Sequence, residues 1–192
     1  MSTTSAPRPA GIAATLRTLY AVRFVFQLVW ALVLILTASA GLSPVSVTLL
    51  LLYPLFDVAA AIVDHRASRG TGPSPLLFVN MGLSLLAAIG LAFAVASGVP
   101  AVMVVWGLWA ITAGAVQLVV ALRRRRLGGQ WPMILSGGIS VLAGAGFLAG
   151  SANSESVAGI GGYAILGAVF FLVSAIRLQR AARAGGARAG RA

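Results

Sequence analysis

The chain has 192 residues, 59% of them hydrophobic and 9% charged, with a mean hydropathy of +0.99. A soluble domain of this size needs a far more polar surface, so the composition excludes one and describes a polytopic membrane protein. The formal charge of +11 comes from 14 arginines set against Asp57, Asp64 and Glu155; because those arginines lie between apolar stretches, the charge reads as membrane topology and not as nucleic-acid binding.

Residues 1–15 form a short polar tail containing Pro7, Arg8 and Pro9, which is expected to be disordered. Six apolar spans follow: Leu19–Ala38, Val45–Val63, Leu76–Ala96, Ala101–Leu122, Met133–Ala149 and Val157–Ile176. Stretches of about 17 to 25 apolar residues match a hydrocarbon layer of roughly 30 Å. Each must be a helix, since lipid offers no partners to backbone N–H and C=O groups. The single membrane domain covers residues 16–180, and the basic tail 181–192 is expected to be disordered.

The arginines orient the spans. Arg8, Arg17 and Arg23 precede or open the first, Arg66 and Arg69 follow the second, Arg123 to Arg126 follow the fourth, and five more follow the sixth. The three alternate loops carry no basic residue, and Glu155 lies in one of them. This pattern predicts both termini on the cytoplasmic side. The basic start, apolar stretch and Ala38-Ser39-Ala40 also imitate a signal peptide. Arg23 lies inside the apolar stretch and not before it, which favours a retained span. Trp131, just before the fifth span, sits where an interfacial anchor is expected.

The chain also repeats. Span, short neutral turn, span and basic stop occur over 19–69, 76–126 and 133–180, a period of roughly 55 residues that signals an array. Aligning the units on their basic stops sets Asp57 against Gly114 and Gly167, and Tyr53 against Ala110 and Tyr163. Gly82 and Gly138 fall early in the opening spans of the second and third units. Two-span units repeat in parallel, about an axis along the membrane normal, whereas many transporters use inverted repeats.

Arg23 in an opening apolar span, glycine-bearing spans ending near proline, and Gly-centred spans closing on arginine resemble the HdeD-like acid-resistance membrane proteins. The stretch Arg125–Gly150, RRLGGQWPMILSGGISVLAGAGFLAG, carries the resemblance best, through its Trp-led entry, Gly-Gly-Ile core and further glycines. The resemblance implies a bacterial inner-membrane protein of short repeated hairpins linked to acid or envelope stress, with no catalytic residues to carry over. The chain departs from the pattern at Asp57, where the other units have glycine, and its first unit is poor in glycine.

Asp57 is the first place to look for function, because an ionisable residue within a span is costly and persists for a reason. Arg23 and Asp57 both lie roughly 8 to 11 Å below the same interface at about 1.5 Å per residue, so the two can pair across the first hairpin. Gln27, one turn from Arg23, shares its helix face and could also reach Asp57. The plainer expectation is a structural ion pair; the sharper one is a protonatable carboxylate on a proton or ion path. Pro54 removes a backbone hydrogen bond from the second span and predicts a kink, with the carbonyl of Leu50 freed. Asp64 shares the Asp57 face and His65 lies at the border, where a histidine could sense pH but a solvated helix end is the simpler account.

Arg123, Arg124, Arg125 and Arg126 are expected to meet anionic lipid headgroups. Gly146 and Gly150 form a GxxxG pair, and Gly138, Gly144, Gly114 and Gly167 join the residues expected to carry helix packing, tightest among spans four to six. With one histidine, three acids, no Cys and no Lys, the chain lacks the makings of a metal cluster, a thiol site or a phosphate loop. The expectation is therefore an all-α, six-span, non-enzymatic protein without a cofactor, whose partners are lipids, a second copy or another membrane protein. A small transporter or channel using Asp57 with Arg23, and an oligomeric scaffold, are the alternatives.

Overall fold

The computed structural model describes residues 9–68, 74–127 and 129–189. The first eight residues of the N-terminal tail, Arg69 and the loop to residue 73, Gly128, and residues 190–192 lie outside them. The chain is all-α: α1 (Pro9–Thr37), α2 (Pro44–Ala67), α3 (Ser74–Ala94), α4 (Val99–Arg123), α5 (Trp131–Gly150) and α6 (Ala158–Ala189). Six helical stretches of 23 to 27 residues, two of them running past α3 and α5 into the turn that follows, are long and apolar enough to cross a membrane. Two expectations about the tails change. α1 begins at Pro9, with Ile12 and Leu16 buried, and α6 continues as a helix to Ala189 instead of stopping near Ile176.

The outer turns follow from their glycines and prolines. Gly41 and Gly98 have φ of 67° and 92°, where a side chain is strained, and each directs the chain toward a proline in the first turn of the next helix. Ser43 caps α2 by accepting the Ser46 N–H at 3.2 Å.

The helices form a closed ring in which each packs on the helix before and after it, and α6 returns to α1. Packing between repeat units (α2 on α3, α4 on α5, α6 on α1) is closer than packing within each hairpin. The hairpins are thus units of sequence, and the bundle is held at their junctions. The tightest expected group, α4 to α6, is realised only for α4 with α5, because α6 turns its packed face to α1.

Glycines explain the α4–α5 approach. A Cβ on Gly144 would stand 2.6 Å from the Gly107 carbonyl oxygen, and one on Gly114 would stand 2.6 Å from Ser140 Cβ. Gly107 and Gly137 complete this seam, and Gly161 lets α6 close on Ile35 of α1. Gly138, Gly146 and Gly150, expected to pack, have no neighbour within 4 Å. They project outward from α5, so the Gly146/Gly150 pair holds nothing inside the bundle.

The bundle is apolar outside and places its polar residues within an otherwise apolar interior. Leu36, Phe93 and Leu142 are 78%, 75% and 73% exposed, whereas Gln27, Asp57, Asp64, Ser84, Arg124, Gln130, Ser136 and Ser140 are buried. That inversion suits a lipid solvent, which costs an outward Leu nothing and charges heavily for an outward Asp. At the neutral-turn end, Trp30 stacks on Trp106 at 5.6 Å between centroids, and Trp109 meets Trp106 edge-on at 5.2 Å. Trp30 also donates its indole N–H to the Leu49 carbonyl at 2.7 Å. That carbonyl is one residue before Leu50, whose carbonyl Pro54 frees.

Gly144→Ala is expected to destabilise the protein in detergent by about 1–3 kcal/mol through overpacking. Gly146→Ala, two residues away, should change stability by no more than about 0.5 kcal/mol. Thermal unfolding of the two variants checks the assigned faces.

Candidate functional site

Asp57 accepts hydrogen bonds from two other helices, α1 and α3. The Arg23 guanidinium of α1 pairs with Oδ1. From α3, Asn80 Nδ2 donates to Oδ2 at 2.6 Å and Ser84 Oγ donates to the same oxygen at 2.8 Å. The Trp109 indole N–H of α4 then donates to Ser84 Oγ at 3.1 Å. The Arg23–Asp57 pair anticipated within the first hairpin is present, but it ties α1 and α2 onward to α3 and α4. Phe171 of α6 lies against the other face of Arg23, with 4.7 Å from guanidinium carbon to ring centroid.

Gln27 does not reach Asp57. Both carboxylate oxygens of Asp57 are already engaged, and Gln27 Oε1 lies instead against α6, where a Cβ on Gly167 would stand 3.0 Å from it. Gln27 is 4% exposed and that oxygen has no hydrogen-bond partner among the described residues; nor has Arg23 Nε.

A second ion pair stands at the arginine-bearing end. Arg124 spans both oxygens of Asp64, Nη1 to Oδ2 and Nη2 to Oδ1, each at 2.7 Å. Ser68 Oγ accepts from Arg124 at 2.9 Å and donates to Asp64 at 3.1 Å. Arg124 is therefore not a headgroup arginine. It is 5% exposed and turned into the bundle, because Asp64, across the bundle on α2, needs a counter-charge more than a lipid does. Burial alone would lower its pKa, but the hydrogen bonds and charge of Asp64 hold it above the ordinary arginine value. Arg123, Arg125 and Arg126 remain exposed and free to face headgroups. Trp131 is half exposed at the start of α5 with Arg177 above its ring at 5.4 Å, the position expected of an interfacial anchor. His65 packs its ring against Phe78 at 4.5 Å, so it is a half-buried border residue, not a freely solvated one.

Between the two ion pairs lies a cavity of about 110 Å³. Every helix borders it. Tyr53, Asp57, Ala61 and Asp64 line it along one face of α2, a run of roughly 16 Å at about 1.5 Å per residue. Tyr20, Arg23 and Gln27 of α1, Asn80 of α3, Gln117 of α4, Ser136 of α5 and Tyr163 of α6 face it from the other helices. The equivalent repeat positions converge here: Asp57, Gly114 and Gly167 all line it, as do Tyr53, Ala110 and Tyr163. That is the outcome of parallel repeats arranged about one central axis, since matching positions then face that axis. Gly82 and Gly138, the other matched pair, both have open space beside them.

Asn80, Ser84, Trp109, Asp64 with Arg124, and Tyr20, whose hydroxyl lies 3.4 Å from Gln130 Oε1, are site residues that spacing along the chain does not bring together. A signal existed. Asn80 and Ser84 are the polar residues within the apolar run of α3 and stand one turn apart, as do Asp64 and Ser68. In this setting such a pair marks the face turned to a buried charge.

Compared with known protein families, with curated proteins and with solved structures, the chain has no match.

Arg124→Ala strands Asp64 inside the bundle and is expected to cost about 3–5 kcal/mol of stability. Arg123→Ala and Arg126→Ala should each stay within about 0.5 kcal/mol. Denaturant unfolding of the three purified variants checks this; equal effects would return Arg124 to the headgroup layer.

Proposed function

We propose that the protein is a non-enzymatic, multi-pass protein of a bacterial inner membrane, with both termini cytoplasmic, that holds a small polar solute inside its helix bundle and passes it across. The observation that carries this reading is the cavity of about 110 Å³ bordered by all six helices and by both intramembrane carboxylates. A purely structural ion pair calls for solid packing around it, since empty space beside a buried charge forfeits contacts. Here space is kept on the polar side of both pairs, enough for several waters or one small molecule.

The orientation rests on the arginine asymmetry of the loops. On that reading the cavity begins at the cytoplasmic end, beside Asp64, Arg124 and Gln130, and runs inward past Asp57 toward Tyr53 and Gln27. The aromatic cluster of Trp30, Trp106 and Trp109 stands toward the outer side and supplies a hydrophobic barrier there. Because each wall belongs to a different helix, a shift at any junction of the ring reshapes the cavity, which is the structural requirement for opening to alternate sides. Arg123, Arg125 and Arg126 hold anionic headgroups at the cytoplasmic face, each near-surface charge contributing about 1 kcal/mol. The resemblance of Arg125–Gly150 to HdeD-like proteins suggests acid or envelope stress as the physiological setting.

Osmotic swelling of proteoliposomes, followed by light scattering with a panel of small polar solutes, tests the reading. Vesicles containing the protein should swell several-fold faster than protein-free vesicles with at least one solute. Ser136→Leu, which fills the cavity from α5, should return the rate toward the protein-free value while the variant still melts cooperatively. Swelling indistinguishable from empty vesicles for every solute, with no proton flux reported by an entrapped pH dye, would leave an oligomeric scaffold as the function.

A further inference from the structure

We infer that the cavity selects an uncharged molecule of about four or five non-hydrogen atoms that both donates and accepts hydrogen bonds, of the small carboxamide or urea type. The inference rests on the reading of the cavity as a solute site and specifies what that site accepts.

Charge is the first argument. The cavity is bordered by Arg23 and Arg124 and by Asp57 and Asp64, and each arginine is matched to one carboxylate, so the walls are neutral as a set. Neither carboxylate is left short of donors. Asp57 takes Arg23, Asn80 and Ser84, and Asp64 takes Arg124 and Ser68. A cation or anion entering this space would have to break one of these pairs or sit desolvated without a counter-charge. A neutral guest meets neither cost.

Hydrogen-bonding capacity is the second. Gln27 borders the cavity, is 4% exposed, and has a carbonyl oxygen without a partner among the described residues. Arg23, one turn earlier on the same face, has an Nε–H without one. The first needs a donor and the second an acceptor, and both residues border the cavity. A carboxamide carries a donor and an acceptor on adjacent atoms, so one group answers both needs.

Size and wall character are the third. A dry cavity of about 150 Å³ accommodates a benzene ring, so the 110 Å³ here takes a smaller guest. Its remaining wall includes the rings of Tyr53, Trp109 and Phe171, which suit a flat molecule with a short apolar portion.

Acetamide, acetate and acetamidinium have nearly the same shape and differ in charge. Their binding to the full-length protein in nanodiscs is measured by saturation-transfer NMR, which registers weak association, with competition to rank affinities. Acetamide is expected to bind at least tenfold more tightly than either ion. Gln27→Leu should weaken acetamide at least tenfold while keeping the melting temperature at or above that of the parent. Gly167→Ala, whose Cβ crowds the same oxygen, provides a second variant with the same expected direction should Gln27→Leu not fold. Acetate or acetamidinium binding as well as acetamide, or acetamide affinity unchanged in a folded variant, would overturn the selectivity and leave the solute site standing. Failure of all three probes to bind would overturn the solute site itself and this inference with it.

Discussion

A single carboxylate organises the interior. Asp57 is buried among helices, and a buried carboxylate without donors is costly, so four side chains from three other helices are drawn toward it, directly or through Ser84. Arg23 brings α1, Asn80 and Ser84 bring α3, and Trp109 brings α4. In water such an ion pair would contribute little. Between helices in lipid the alternative for each group is an unsatisfied charge, and the same pair becomes a condition of assembly.

The other features follow from this arrangement meeting the repeat. Parallel units about one axis turn equivalent positions inward. Glycine at two of the three, Gly114 and Gly167, lets α4 and α6 stand close to their neighbours, while the aspartate at the third props open a polar space. Asp64 with Arg124 repeats the arrangement two turns along α2, at the arginine-bearing end. The cavity is thus what remains when a ring built for glycine accommodates two ion pairs on one side. The proposed solute site occupies that asymmetry: its charges cancel, and Gln27 Oε1 and Arg23 Nε, which have no partner among the described residues, lie on α1.

Much of this was legible in the sequence and some was not, for definable reasons. The six helices were readable because apolar length is a strong signal, and the Arg23–Asp57 pair because few groups at that depth could meet a carboxylate. Gln27 was misplaced because helix-face arithmetic gives a side chain's direction and not the competitors for its partner. In the sequence Arg124 is one of four equivalent arginines, since charge runs show topology but not which member turns inward; Asp64 across the bundle decides that. Gly146 and Gly150 match a packing motif that is common in glycine-rich chains but hold nothing, while Gly114 and Gly144, also expected to pack, do so beside Gly107, Gly137 and Gly161, which belong to no such spacing. The fold at the level of elements was local information. The site depended on which helix faced which, and that is set by contacts distant in the chain.

The most direct test of this account is a double-mutant cycle of Arg23→Met and Asp57→Asn, read by equilibrium unfolding in detergent. The amide at position 57 keeps an oxygen for Asn80 and Ser84, so the cycle isolates the ion pair. Each single variant should lose about 3–5 kcal/mol, and the double variant should lose at least about 2 kcal/mol less than their sum. Losses that simply add would mean that Arg23 and Asp57 act independently and that the interior is not organised around their pairing.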